Sequence, residues 1–250
     1  MAAHSVAPIF LRFALALTFL WAGWGKVLET MPVSGERAAV LASMGVLTES
    51  SLPSSSPAQL NPAALLPDPQ PLEHRVRRVY GIALLIHKSA NPAPTLASAD
   101  SITVSPADPT ATTAPATVSQ PMALWPSRLA SGKLPLYFAW SAAVSEIVFG
   151  LFVLVGLLTR ISAAVLASTM VVAIWLTEIG PAIQTGNTVL GFIPAYGAFA
   201  YDAAGKFMFA SLLWQISLLC SGLALMLTGP GIISFDRALF PPRAKSQELD

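Results

Sequence analysis

Four polar side chains interrupt strongly apolar stretches of this chain: Lys26, Glu146, Glu178 and Gln215. Within membrane-length apolar runs such groups are costly, so they usually face the interior of a helix bundle and pair with one another. A buried carboxylate beside an ammonium can form a structural ion pair, and a carboxylate in a binding site can also pass protons. The four residues are therefore the candidate polar layer of the protein.

Four tryptophans, Trp21, Trp24, Trp175 and Trp214, fall at a similar depth in the same stretches. Their flat faces suit a quinone headgroup or a small solute bound next to the polar layer. A second interpretation is also open. In it the polar residues only hold helices together, and the tryptophans form the aromatic belt that is common at membrane interfaces.

Signatures of soluble enzymes are absent from the sequence, which contains no Walker motif, no HExxH and no GxSxG. Histidine and cysteine are not spaced as metal ligands, and a single cysteine, Cys220, excludes an intramolecular disulfide. The net charge of +1 gives no reason to expect nucleic acid as a partner. We therefore expect no metal site, no covalently bound cofactor and no nucleic-acid binding.

The elements that must position the polar layer are membrane-spanning helices. The chain is 54% hydrophobic and 11% charged, whereas about 25% of the residues in a soluble domain are charged. About 20 apolar residues span a bilayer core as a helix, and such runs cover residues 8–28, 136–158, 161–179 and 207–228. The sequence thus predicts an all-α fold, a four-helix transmembrane bundle. A cleaved signal peptide is the alternative for the first run.

Residues 29–135, between the first two predicted helices, have a different composition. They include most of the 21 prolines and many Ser, Thr and Ala residues. Because such a sequence buries little apolar surface, we expect a long, largely disordered external loop. Two patches in it can be ordered: residues 36–47 as a short helix, and residues 73–87 as a segment on the membrane surface or against the bundle. Residues 180–205 are punctuated by Gly and Pro, and their apolar part, residues 189–200, is expected to be an interfacial or re-entrant segment.

Helix rise gives the depth of each polar group, counted from the end of the bundle that carries the termini. Glu146 and Gln215 lie about 20 Å in, Lys26 and Glu178 about 25 Å, and Arg12 only about 6 Å. We therefore predict that Lys26, Glu146 and Gln215 converge. Arg12 is too shallow to reach the carboxylate and is expected to face the lipid headgroups.

An even number of spans places both termini on one side of the membrane. The short turn at Arg160 and a tail with Arg237, Arg243 and Lys245 share that side. Basic residues in short segments favour the cytoplasm. We therefore predict a multi-pass protein of the cell inner (plasma) membrane with both termini cytoplasmic and the long loop outside.

Three stretches together resemble one family. The first span ends in AGWGK, residues 22–26; the second carries SEIVFGLFVLVGLLTR, residues 145–160; and GPGIISFD, residues 229–236, follows the fourth. Their combination and order resemble the DoxX-like family of small four-helix bacterial membrane proteins. The first loop of this chain is longer than is usual in that family.

The resemblance implies a role in quinone-linked redox chemistry, since some members are subunits of thiosulfate:quinone oxidoreductases or partners in thiol-stress complexes. The expected function is a membrane subunit that supports quinone-linked redox chemistry together with a partner protein. Whether the chain is itself an enzyme stays open; if it is one, it is expected to be an accessory oxidoreductase subunit. The alternative is a non-enzymatic small-solute permease or a structural membrane protein.

Overall fold

The computed structural model of the 250-residue chain describes residues 3–47, 73–93, 95–96, 118–119, 121–197, 199–203, 205–231 and 234–236. The disorder predicted for the long loop falls mainly on residues 48–72 and 97–117, which lie outside the described residues. The same is true of the basic residues of the tail, Arg237, Arg243 and Lys245.

Helices make up most of the described chain. The α-helices are α1 (Ala3–Leu28), α2 (Gly35–Ser43), α3 (Val79–Ala90), α4 (Leu134–Val155), α5 (Thr159–Ile174), α6 (Gly180–Thr185) and α7 (Ala210–Thr228). A 3-10 helix covers Ser127–Ala130, and a π-helical turn, Trp175–Ile179, joins α5 to α6.

Strands are confined to three small antiparallel pairs in the described residues. They are β1 (Thr30–Val33) with β2 (His74–Arg77), β3 (Thr95–Leu96) with β4 (Val118–Ser119), and β5 (Thr188–Val189) with β6 (Ile193–Pro194). In the first pair Thr30 lies opposite Arg77 and Val33 opposite His74, so the residues after α1 are tied to those before α3.

Four helical stretches are long and apolar enough to cross a bilayer: Ala7–Leu28, Leu134–Val155, Thr159–Thr185 and Ala210–Thr228. The predicted all-α, four-helix fold is therefore confirmed for the described part of the chain. The end at which α1 begins and α7 ends is called the termini end, and the opposite end, from which the long connection leaves α1 and enters α4, is called the loop end.

Two predicted spans end at the wrong residue, and the fourth begins at Ala210 rather than at residue 207. The second span ends at Val155 rather than at residue 158, because Gly156 adopts a left-handed conformation (φ 75°) that caps the helix. The third span does not end at residue 179. Pro181 has no N–H to donate to the carbonyl four residues earlier, yet the wider π-helical turn precedes it and the helix continues to Thr185.

Small residues let the spans approach in pairs, α1 against α4 and α5 against α7. A Cβ on Gly23 would lie 2.7 Å from Ile147 of α4, and one on Gly222 would lie 3.2 Å from Ala167 of α5. In the termini half the two pairs meet in one core. Its fully buried side chains come from all four spans: Leu15, Phe19, Val153, Leu166 and Leu225.

The connection between α1 and α4 is ordered over more of its length than the sequence suggested. A second core lies at the loop end, where Val33 of β1, Leu41 of α2 and Val79 of α3 are buried with Ala139 and Ala143 of α4. The apolar segment predicted at residues 73–87 is β2 followed by α3, and α3 covers the bundle by packing on α4. This part of the connection is structural.

Candidate functional site

The ammonium of Lys26 donates hydrogen bonds to both carboxylate oxygens of Glu146. Lys26 is on α1 and Glu146 is on α4, where it is 2% exposed. The contact depends on close helix packing, because Gly23, three residues before Lys26, lies against the Cβ atom of Glu146. The predicted pairing of Lys26 with Glu146 is confirmed.

The ion pair lies in the wall of a cavity of about 630 Å³ in the loop half of the bundle. All four spans contribute side chains to this wall, and α3 contributes Ile82, Leu85 and Ile86. The wall is mainly apolar. Its polar part consists of the ion pair, Gln215 and six Ser or Thr side chains. This volume falls within the roughly 300–1,000 Å³ of small-molecule sites, which combine apolar walls with a few polar groups in the same way.

The other two residues of the predicted polar layer do not bond to the carboxylate. Gln215 lines the same cavity, but its side chain hydrogen-bonds Thr177 and Ser211. Glu178 is buried on the π-helical turn and is not among the cavity-lining residues. The three residues predicted to converge therefore share one cavity, but Gln215 does not hydrogen-bond the carboxylate.

Of the four predicted tryptophans, Trp214 alone lines this cavity. Trp21 and Trp24 are 83% and 50% exposed on α1, as expected of side chains that face lipid. Trp175 is partly buried against α3 and donates its indole N–H to the carbonyl of Leu124. The prediction of four tryptophans around one ligand was wrong for these three.

Sequence reasoning missed the second tryptophan in the wall, Trp125, which packs edge-on against Phe138. It also missed the residues of α3. Their signal was present in the spacing of Ile82, Leu85 and Ile86, which places them on one face of a helix. Trp125 had no such signal, since it lies in a Pro-rich stretch whose packing depends on distant residues.

The segment that carries Trp125, residues 121–126, is called the strap because it crosses the loop end of the third span. The Leu124 N–H donates to Ser89 of α3, and the Leu124 carbonyl accepts from Trp175. Nine residues further along the chain, Gln184 donates to the Met122 carbonyl. The strap and α3 together cover the cavity at the loop end of the bundle.

Arg12 is buried at the termini end of the bundle. The prediction that its side chain faces the lipid headgroups was therefore wrong. Arg12 is 6% exposed, and its guanidinium donates to the carbonyls of Val153 and Leu154 in the last turn of α4 and to Pro230 after α7. The last carbonyls of a helix lack the usual donor four residues later, and Arg12 donates to two of them, of which that of Val153 also accepts the N–H of Gly156. Sequence depth placed Arg12 correctly along its helix but did not reveal these acceptors.

Asp236 completes this joint, which comprises Arg12, Gly156, Pro230 and Asp236. Its carboxylate accepts the N–H groups of Leu158, at 2.6 Å, and Thr159, at 2.9 Å, at the start of α5. Its own N–H donates to Gly156. The joint therefore ties the ends of all four spans together without lining the cavity.

The arrangement is suited to binding a ligand, and its described residues do not form a recognisable set of catalytic groups. Lys26 keeps an N–H hydrogen beyond the two given to Glu146, and the carboxylate keeps free lone pairs. No group of three or more His, Cys, Asp or Glu residues suited to a metal ion occurs in the described part of the chain. A ligand with an apolar body and a few hydrogen-bonding groups matches the wall.

Comparison with known proteins gives two matches. The family model DoxX matches residues 79–179, which run from α3 through the π-helical turn. The uncharacterized membrane protein Rv3486 of Mycobacterium tuberculosis (strain ATCC 25618 / H37Rv) is 39% identical over 123 residues, covering 46% of this chain and 68% of the relative. No solved structure matches the chain significantly.

The family match includes α3, which lies in the first loop, the part of the chain that is longer than is usual in the family. Since the match starts at residue 79, α3 and the strap lie within the matched region. The four apolar spans and the two matches agree with the resemblance carried by residues 22–26, 145–160 and 229–236. The chain is a multi-pass membrane protein that belongs to the DoxX family.

Proposed function

We propose that this protein binds a quinone-class molecule in its cavity and thereby supports the redox chemistry of a partner protein. The observation that carries the proposal is the position of the Lys26–Glu146 pair in the wall of a 630 Å³ apolar cavity. A quinone combines an apolar ring and tail with two polar oxygens. The wall offers an apolar surface for the first and a charged pair for the second.

Access from the bilayer supports a lipid-soluble ligand. Several cavity-lining side chains are also exposed on the outside of the spans, among them Val172 at 43% and Trp214 at 59%. Side chains exposed at mid-span contact lipid in a membrane. At the loop end, by contrast, α3 and the strap cover the cavity. We propose that the ligand enters sideways from the membrane.

The proposal includes an inner-membrane location with both termini cytoplasmic, as the charge distribution indicates. In that orientation the cavity lies in the outer half of the bilayer. The redox centre belongs to the partner, as the resemblance to quinone-linked DoxX-like subunits implies. The exposed faces of α4 and α7 are then available to lipid or to that partner.

Purification in a mild detergent tests the proposal. The wild-type protein is solubilised from its own membranes, and bound lipids, quinones and proteins are identified by mass spectrometry. We expect quinone in near-stoichiometric amount, together with an oxidoreductase subunit. Quinone at the level found with an unrelated four-span protein would contradict ligand binding. A water-soluble solute in its place would favour the permease alternative.

A further inference from the structure

The hydroxyl groups on the cavity wall share one property. Each donates its hydrogen to a carbonyl of its own helix, three or four residues earlier; the six residues are Thr18, Ser141, Ser145, Ser168, Thr169 and Thr177. A hydroxyl has one hydrogen to donate and two lone pairs that accept. Because the hydrogen is already used, each oxygen keeps lone pairs as acceptors at the cavity wall, although that of Thr177 already accepts one hydrogen bond from Gln215.

The remaining polar groups increase this excess of acceptors. Lys26 uses two of its three hydrogens on Glu146, whose two oxygens retain lone pairs. The Nε2 group of Gln215 donates to Thr177 at 3.1 Å and to Ser211 at 3.5 Å. The Nε1 atom of Trp125 has no partner among the described residues, but it is fully buried. Two donors are left for a ligand among the described residues, the third N–H of Lys26 and the indole N–H of Trp214, against the acceptors of six hydroxyls and a carboxylate.

A cavity wall with more hydrogen-bond acceptors than donors binds the two redox forms of a quinone with different affinity. The oxidised form has two carbonyl oxygens, which only accept hydrogen bonds. The reduced form has two O–H groups, which donate. Acceptors that face acceptors in an apolar cavity stay unsatisfied, and this is unfavourable.

We infer that the cavity binds the reduced, hydrogen-donating quinol in preference to the oxidised quinone. This inference rests on the proposed function and adds the redox form of the ligand. One additional matched hydrogen bond corresponds to a preference of roughly tenfold. The protein then holds quinol in the membrane at the site of a partner that oxidises or releases it.

The test compares both forms of one probe on the full-length protein. Tritium-labelled decylubiquinone is equilibrated with the protein in nanodiscs of phosphatidylcholine and phosphatidylglycerol, once oxidised and once reduced with dithionite, and empty nanodiscs give the background. We expect the dissociation constant of the quinol to be lower by roughly tenfold. Equal constants, or tighter binding of the quinone, overturn the preference. If neither form is retained above background, the proposed function fails as well.

A double variant tests the hydroxyl groups themselves. Ser141→Ala with Ser145→Ala removes two acceptors from α4 without removing any described hydrogen bond between elements. We expect it to weaken quinol binding more than quinone binding, so that the ratio of the two constants moves towards one. The control is Ser43→Ala, an exposed hydroxyl on α2 that also bonds its own helix. An equal loss of both forms in the double variant contradicts the role of the hydroxyls as acceptors.

Discussion

At the scale of single residues, Glu146 is the group whose burial needs most explanation. Its side chain lies near the middle of a span, and Lys26 is its ion-pair partner. Breaking a buried pair by removing one partner costs about 3–5 kcal/mol, because the remaining charge is left uncompensated. The pair therefore contributes to stability as well as to the proposed binding site.

Replacing Lys26 tests this contribution. We expect Lys26→Ala to lower the free energy of unfolding by about 3 kcal/mol, and the added change Glu146→Gln to restore part of it, since a neutral amide is cheaper to bury. Chemical unfolding in detergent micelles, followed by tryptophan fluorescence, measures the free energy of unfolding of the single and the double variant. Lys206→Ala, which removes an exposed lysine, is the control. An unchanged stability of Lys26→Ala contradicts the role of the pair.

The Arg12 joint leads to a second prediction at this scale. Arg12→Lys keeps the charge, but one ammonium cannot reproduce the fork that reaches three carbonyls on two spans. We expect a loss of about 2 kcal/mol, given that hydrogen bonds to charged groups contribute about 1.5–3 kcal/mol each. Arg160→Lys is the matched control, because Arg160 lies at the same end but is exposed. Equal melting temperatures of the two variants would show that the joint is not needed.

The pairing of Lys26 with Glu146 was predictable, whereas the partners of Arg12 and Gln215 were not. Helix rise fixes the depth of a side chain from sequence alone. It does not fix the rotation of one helix against its neighbour, and this rotation turns Gln215 towards Thr177. The acceptors of Arg12 are backbone carbonyls, those of Val153 and Leu154 at the end of α4 and that of Pro230 after α7, and the sequence does not show which carbonyls come close to it.

At the scale of elements, α3 and the strap show that part of the long connection belongs to the folded bundle. α3 packs on α4 and lines the cavity, and the strap is hydrogen-bonded to the third span. From the sequence, only residues 36–47 and 73–87 of this connection were expected to be ordered. The ordered parts gain stability from contacts with α4 and the π-helical turn, and a propensity argument over the connection alone does not include those contacts.

A deletion and a substitution test which parts of the long connection are needed for folding. Removing residues 50–70 is expected to leave membrane insertion and the melting temperature unchanged, because a stretch of that composition buries little apolar surface. By contrast, Ala83→Asp places a carboxylate in the α3–α4 contact, where Ala83 is fully buried. We expect it to lower stability by about 2 kcal/mol or more. The melting temperatures of both proteins, measured by thermal unfolding, test these two expectations. Loss of the folded protein on deletion would show that residues 50–70 are structural.

At the scale of the whole molecule, the termini end and the loop end have different structures. The termini end is a hydrogen-bonded joint, and the loop end is a cavity covered by α3 and the strap. The four spans and their order were predictable because apolar length alone identifies them. The cavity was not, since its volume depends on how the α1–α4 pair separates from the α5–α7 pair.

The direction of the chain in the membrane is a further prediction at this scale. The turn at Arg160 lies beside Gly229 at the termini end, and basic residues in short segments favour the cytoplasm. We therefore expect alkaline phosphatase fused after Asp250 to be inactive and the same enzyme inserted near Ser105 to be active. Activities measured in whole cells check this, and the reverse pattern would contradict the proposed orientation.

Filling the cavity is the most direct test of the proposal that it binds a quinone. Ala142 of α4 lines the cavity, and Val144, two residues further along the same helix, is 48% exposed. The measurement is the amount of quinone per protein after purification of the wild type, Ala142→Phe and Val144→Phe. We predict that Ala142→Phe loses the bound quinone and that Val144→Phe retains it at the wild-type level. Equal amounts of quinone in the two variants would contradict a ligand site in this cavity.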